Sequence, residues 1–296
     1  MPYVLKKYDV VVGEKVEDFL VSVVKLSETL AYKLLKNARI VDHKKRRLQK
    51  GKVLKSGYIE VLIFEPMTKG LKPLFQTEHF ALFDKPSGLL VHPTIRSTEY
   101  TLLDEVRYLF GEEAKLVHRI DAETSGLILI SKNGYANYVL KEMFEKKAFT
   151  KNYKALVEGK LKEEQLIEAG ITPSEGLIKL KMQTSENGKT SSTRIRPITY
   201  NKTTNQTLVE AIPYTGRQHQ IRVHLNSIGH RIVGDPIYGL DESFVNDFLN
   251  DNIEHSERVK VTGSSRLMLH AYYLEFTFLG TRYLFYSKQS FGDMDG

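Results

Sequence analysis

Hydrophobic and polar positions follow two different periods along this 296-residue chain. Val16, Phe19, Leu20, Val23 and Val24 recur at i, i+3, i+4, i+7 and i+8, the stripe of an amphipathic helix. A second helix is predicted from Ser27, whose hydroxyl suits an N-cap, with Leu30, Ala31, Leu34 and Leu35 on its buried face. Short β-like runs follow at residues 39–41 and 58–64. The segment EPMTKGLKPLF, with two prolines and a glycine, reads as a linker over residues 65–75. It separates a small module, residues 1–64, from a larger domain, residues 76–296. In the larger domain, strand-like runs at 80–83, 127–131, 153–157 and 207–212 alternate with helical stripes. One stripe passes through Ala136, Val139, Leu140 and Phe144; another passes through Ile221, Leu225 and Ile228 and is stopped by Gly229. Leu274, Phe276 and Phe278 interleave with Tyr273, Glu275, Thr277 and Leu279 as a further strand. The expected fold class is α+β, a large mixed sheet flanked by helices plus a small N-terminal α/β module. No repeat or low-complexity tract interrupts it, and the tail SFGDMDG is expected to fray.

Charge sharpens the division. Residues 1–70 hold 15 Lys and Arg against 8 Asp and Glu, and the remaining 28 of each sign cancel, so the whole net charge of +7 sits in the first quarter. Its densest run, DHKKRRLQKGKVLK, contains Lys44, Lys45, Arg46 and Arg47. A basic patch on a small module fits a polyanion, nucleic acid before membrane, although the same residues could simply solvate a loop. With 41% hydrophobic residues and no apolar stretch of about 18 residues, the chain is expected to fold in the cytoplasm without spanning a membrane. It has no cysteine, which excludes disulfides, thiolate metal sites and cysteine nucleophiles.

Some familiar sites fail on spacing. Gly188-Lys189-Thr190 ends like a phosphate-binding loop, but Gln183 stands where the earlier glycine is required. His219 and His224 lie five apart, which suits neither a helix nor a strand for holding one metal. No G-x-S-x-G elbow is present. Two charge-dense stretches remain. LVHRIDAETSGLILISKN crowds His118, Arg119, Asp121 and Glu123 against a run that reads as a strand buried on both faces, with Thr124-Ser125-Gly126 as the turn between them. Taken alone, Asp121 is ordinary turn chemistry. In TGRQHQIRVHLNSIGHRIVGDPIYG, Gln218, Arg222 and Asn226 share a helix face, from which Arg222 could reach a carboxylate on another element; the alternative is a solvated polar face.

Together these stretches resemble the RluA-type RNA pseudouridine synthases. HRIDAETSG is similar to that family's His-Arg-Leu-Asp-x-x-Thr-Ser-Gly signature. DKPSGLLVHP, KNYKALVEG, GKTSST, the HQIRVHL…GDPIYG segment and LMLHAYYLEF look like its successive blocks in order. Residues 1–64 are similar to the RNA-binding module named after the small-subunit ribosomal protein S-four, without its usual Asn-Gly turn. The resemblance implies Asp121 as the catalytic aspartate, Tyr153 as the ring stacked on the target uracil and Arg222 as the partner of the aspartate. Arg119 would fill the gap left by a flipped nucleotide, with Lys44, Lys45, Arg46 and Arg47 on the RNA. His118, Thr124, Ser125, Gly126, His219, His224, Asp235 and His270 are expected to shape the site rather than react. Ala122-Glu123 departs from the family, where a basic residue followed by Asp or Glu is frequent. The implied activity is isomerisation of uridine in structured RNA, ribosomal RNA before transfer RNA, by a monomer with no metal or organic cofactor. Two alternatives compete. A non-catalytic RNA-binding or ribosome-assembly protein would be expected to have lost one of Asp121, Tyr153 and Arg222; a nucleoside hydrolase would need Glu123 as a second carboxylate.

Overall fold

The computed structural model describes residues 3–93 and 99–289; the tail expected to fray lies outside the described residues. The chain forms two compact units, residues 1–69 with 93–108, and residues 70–92 with 109–296. The architecture is α+β.

In the first unit, β1 (Tyr3–Asp9), α1 (Val16–Ser22), α2 (Glu28–Lys36), β2 (Ile40–Asp42) and β3 (Tyr58–Phe64) form two helices on an antiparallel sheet of order β1-β3-β2. The helical stripes are buried over most of their length, but α1 stops at Ser22, before Val23 and Val24 of the predicted stripe, and Val23 is exposed. Val16, Phe19, Leu20, Ala31, Leu34 and Leu35 are buried with Ile40, Ile59 and Val61 in one core, and Ser27 caps α2 by accepting from Leu30 N at 3.2 Å. The first strand, β1, carries no alternation strong enough to predict it; it is fixed by its pairing along the whole of β3. In the basic loop, Asp42 replaces the missing Asn-Gly turn. Its Oδ1 accepts from Lys44 N and Arg46 N, both at 2.9 Å, while Lys45 takes a left-handed φ of 61°. Most of α3 (Leu102–Phe110) belongs to this unit, and Glu105 on it accepts from Thr68 Oγ1 and Tyr100 Oη.

The second unit is built on a ten-stranded sheet. Its strands are β4 (Phe75–Gln76), β5 (Phe80–Lys85), β6 (Lys115–Leu116), β7 (Ser125–Ser131), β8 (Phe149–Glu158), β9 (Gln165–Glu168), β12 (Ser192–Asn201), β13 (Gln206–Pro213), β14 (Leu269–Phe278) and β15 (Thr281–Tyr286). A separate hairpin pairs β10 (Ile171–Pro173) with β11 (Met182–Thr184). The path β4-β5-β7-β14-β8-β13-β12-β9 is antiparallel except where β7 meets β14. Every residue of β7 is buried, as its unbroken apolar run predicts. Leu127 and Leu129 pack with Leu140 of α4 (Gly134–Glu145), whereas β8 alternates so that Ala155 and Val157 face Ile221 and Leu225 of α5 (Gln220–Ser227). Tyr153 shares that face by the two-residue period. Helices α6 (Glu242–Leu249) and α7 (His255–Thr262) follow; α6 carries Phe244, Val245, Phe248 and Leu249 at helical spacing, whereas the polar sequence of α7 gives little helical signal. Among the described residues, no helix is long and apolar enough to cross a membrane.

Candidate active site

The loop before β7 is held by side chains from the segment that leaves β5. Lys85 is fully buried and donates to three carbonyls, Pro86 O at 2.8 Å, Leu89 O at 2.8 Å and Ala122 O at 2.7 Å. Three acceptors require the three protons of an ammonium. Burial pushes Lys85 down to about 7, opposed by Glu123 and Asp121. Beside it, Ser87 Oγ donates to Glu123 O at 2.6 Å. Asp121 is thus followed by two backbone carbonyls that cannot drift. The turn itself closes earlier than its sequence suggests: Thr124 N donates to Asp121 O at 3.2 Å, and Ser125 and Gly126 already run in β7. Gly126 is there for proximity. It has a φ of +108°, and a Cβ on it would sit 2.3 Å from Ala271 O of β14.

Asp121 lies in an open cleft of about 510 Å³, lined also by Ile120, Tyr153, His219, Arg222 and Leu269. Its Oδ2 is 3.4 Å from Arg222 Nη1 and 3.8 Å from His219 Nε2. Arg222 is 2% exposed, so the solvated polar face is not what forms. All of residues 220–225 are buried on α5, and Gln218 precedes the helix rather than sharing a face of it. The buried guanidinium is balanced by Asp235, which is 1% exposed and accepts from Nε and Nη2, each at 2.8 Å. Burial works against the charge of Arg222, but the charge and hydrogen bonds of Asp235, with Asp121 and Tyr238 adding to them, outweigh it and raise the guanidinium's affinity for its proton. Conversely, Arg222 and the amides of Ile237 and Tyr238 hold the Asp235 carboxyl low in spite of burial. The arrangement is an anchored cation beside a partly exposed carboxylate.

Tyr153 is half-buried on β8, its phenol pushed up by burial and by Asp121, so it meets the cleft as a neutral ring. Lys151, on the same face, is buried, stands 5.1 Å from the Tyr153 ring centre and 3.3 Å from His118 Nδ1, and is pushed down to about 7 by burial. Arg119 is exposed at the cleft, 3.2 Å from His92 Nε2. Glu123 pairs with Arg258 of α7. Lys44, Lys45, Arg46 and Arg47 lie in the first unit; there Lys45 pairs with Glu60 and Arg46 with Asp42.

The structure therefore brings Asp121, Arg222 and Tyr153 to one cleft, with Arg119 at its edge. Lys85 is an anchor that sequence reasoning missed, and Asp235, expected only to shape the site, carries the counter-charge of Arg222. Both sit in glycine- and proline-rich segments, DKPSG and VGDPIYG, that read as turns; a charged residue inside such a segment is the available signal. His224 does shape the scaffold, bonding Ser191 Oγ and Thr193 Oγ1 at 2.9 Å each, and His270 bonds Ser125 Oγ at 2.8 Å.

Comparison with known proteins gives a consistent picture. Residues 79–227 match the family model for RNA pseudouridylate synthase. An uncharacterized RNA pseudouridine synthase of Helicobacter pylori (strain J99) is 32% identical over 96% of this chain and 94% of its own length. The ribosomal large subunit pseudouridine synthase C of Haemophilus influenzae is 30% identical over 89% of this chain and 84% of its own. Among solved structures, human RNA pseudouridylate synthase domain containing 1 superposes with a TM-score of 0.60 at 25% identity, covering 76% of this chain and 86% of that one.

Proposed function

This chain belongs to the RNA pseudouridylate synthase family, isomerases that act on RNA, and from that premise we propose a uridine of large-subunit ribosomal RNA as its substrate and Asp121 as its catalytic carboxylate. In this isomerisation the bond from ribose C1′ to N1 of the uracil breaks and the base turns. A bond from C1′ to C5 then forms, C5 gives up its proton and N1 regains one, so nothing is oxidised or reduced. The observation that carries the role of Asp121 is its position in the cleft beside the Arg222–Asp235 pair, with the Tyr153 ring on the same wall. Arg222 supplies a fixed positive charge at that carboxylate and needs no reorganisation when charge develops there.

A uridine within structured RNA reaches the cleft only by leaving its stack, at a cost of a few kcal/mol. Stacking on Tyr153, worth about 1–3 kcal/mol, offsets part of that cost, and Arg119 occupies the vacated space. The basic first unit, an RNA-binding module of the ribosomal-protein-S-four type, adds phosphate contacts through Lys44, Lys45, Arg46 and Arg47. The enzyme works as a cytoplasmic monomer. Ribosomal RNA is favoured over transfer RNA because relatives similar over most of the chain are named for the large ribosomal subunit. Retention of Asp121, Tyr153 and Arg222 argues against a non-catalytic descendant, and the pairing of Glu123 with Arg258 removes the carboxylate a hydrolase would use.

Mapping pseudouridine in ribosomal and transfer RNA from cells with and without the gene tests the substrate. Loss of a large-subunit site on deletion is expected; loss confined to transfer RNA overturns that choice. Asp121→Asn is expected to bind RNA and to leave uridine unchanged, and substantial turnover by that variant would remove Asp121 from the mechanism.

A further inference from the structure

His219 is expected from sequence only to shape the site, yet its ring bridges the cleft and a buried hydroxyl. It stands at the N-cap of α5 in the left-handed region, φ 55°, and its side chain makes no capping bond. One ring nitrogen, Nδ1, is 2.9 Å from Tyr238 Oη, and the other, Nε2, is 3.8 Å from Asp121 Oδ2.

Hydrogen-bond accounting decides which nitrogen carries the proton. Tyr238 is 2% exposed and its Oη already accepts from Met182 N at 3.0 Å. The phenolic proton then has one acceptor within reach among the described residues, His219 Nδ1. If Nδ1 were protonated instead, a buried hydroxyl proton would have no partner. Burial and Arg222 push His219 down to about 4, opposed by Asp121 and Asp235, so the ring is neutral near pH 7 and holds a single proton. That proton sits on Nε2, facing a carboxylate that can only accept.

We propose that His219 is a positioning residue for the reaction: fixed by Tyr238 as the Nε2–H tautomer, it is the second donor, after Arg222, to Oδ2 of Asp121, leaving Oδ1 to react. Both contacts fall on the same oxygen, Arg222 Nη1 at 3.4 Å and His219 Nε2 at 3.8 Å. The His219 donor must close to hydrogen-bond distance when substrate fills the cleft, as catalytic hydrogen bonds that are long in the free enzyme do. The assignment rests on Asp121 being the catalytic carboxylate.

Two measurements on the full chain test it. Long-range ¹H–¹⁵N correlation of the imidazoles, with the His219 signals identified by their absence in His219→Gln, should show Nδ1 unprotonated and Nε2 protonated. A protonated Nδ1 overturns the proposal without any appeal to activity. Kinetics on an RNA carrying the target uridine should show His219→Leu lowering kcat about ten- to hundred-fold with KM unchanged, as expected when one donor to a charged group is removed. His219→Gln, which can offer an N–H near the same place, should recover most of it, and Tyr238→Phe should lower kcat while the His219 ring loses its single tautomer. Equal kcat for His219→Leu and the parent, or equal losses in the Leu and Gln variants, overturns it. Asp121→Asn separates the two readings: if that variant turns over, Asp121 itself was misassigned; if it is inactive while His219→Leu is fully active, only the role of His219 fails.

Discussion

Replacing Asp235 by asparagine tests how the site holds its cation. The carboxylate meets four donors: Oδ1 accepts from Arg222 Nη2 at 2.8 Å, Ile237 N at 2.9 Å and Tyr238 N at 3.1 Å, while Oδ2 accepts from Arg222 Nε at 2.8 Å. An amide has one acceptor oxygen. With that oxygen in the Oδ1 place, its NH₂ group opposes the N–H of Arg222 Nε; flipped, it opposes the other three donors. Either way a guanidinium only 2% exposed loses its close counter-charge and keeps Asp121 at 3.4 Å. Breaking a buried pair from one side costs about 3–5 kcal/mol. In a unit of this size that corresponds to a fall in Tm of roughly 10 °C. Urea unfolding should show a lower midpoint with an unchanged slope, because the surface exposed on unfolding is the same. Single-turnover kinetics should show kcat reduced with RNA affinity retained, since the change reaches the substrate only through Arg222 and Asp121. The comparison variant is Asp121→Asn, whose parent side chain is 29% exposed and which should change stability by less than about 1 kcal/mol. A stability loss below about 1 kcal/mol for Asp235→Asn, or full kcat, would refute the view that Asp235 neutralises and aims Arg222.

Other outcomes follow from the same reasoning. Lys44 and Arg47 have no acidic side-chain partner among the described residues, whereas Lys45 and Arg46 are paired with Glu60 and Asp42. Neutralising Lys44 and Arg47 should therefore reduce the slope of log affinity against log salt by about 0.7–0.9 for each phosphate no longer neutralised, more than the same change at Lys45 and Arg46; equal effects would show that the pairs open on RNA. Gly126→Ala should destabilise by roughly 2–6 kcal/mol, from backbone strain and a Cβ placed against the β14 backbone, and should lower kcat by moving the Asp121 loop; a normal unfolding midpoint would contradict it. His270 is pushed down to about 4 by burial, with Arg266 and Lys154 adding to it. Between about pH 6.5 and 4 the unfolded chain binds a proton there that the folded chain does not, so stability falls as pH falls, by about 3 kcal/mol at pH 4. His270→Asn should flatten urea midpoints measured from about pH 7 to 4.5, and an unaltered dependence would assign the effect elsewhere.

Much of this protein is decided locally and is readable in its sequence. The stripes through Phe19, Leu34 and Leu140, the cap at Ser27 and the buried run of β7 depend on side chains a few residues apart, whose period sets which face is covered. The ordered blocks of the RluA-type resemblance likewise pick out Asp121, Tyr153 and Arg222 while leaving their contacts open. Those contacts join residues far apart along the chain. Arg222 lies on a helix whose polar row could equally be solvated, and it is buried only because Asp235, from the next turn, neutralises it inside the core. Lys85 reaches across to Ala122, 37 residues on, and Gly126 is required both by its φ of +108° and because β14 passes within a Cβ's radius of it. The proton on His219 is decided by a tyrosine 19 residues away and by a backbone amide of Met182 on a separate hairpin. Periodicity constrains which side of an element is buried; it carries no term for which partner waits there, and the electrostatics of this site are set by those partners.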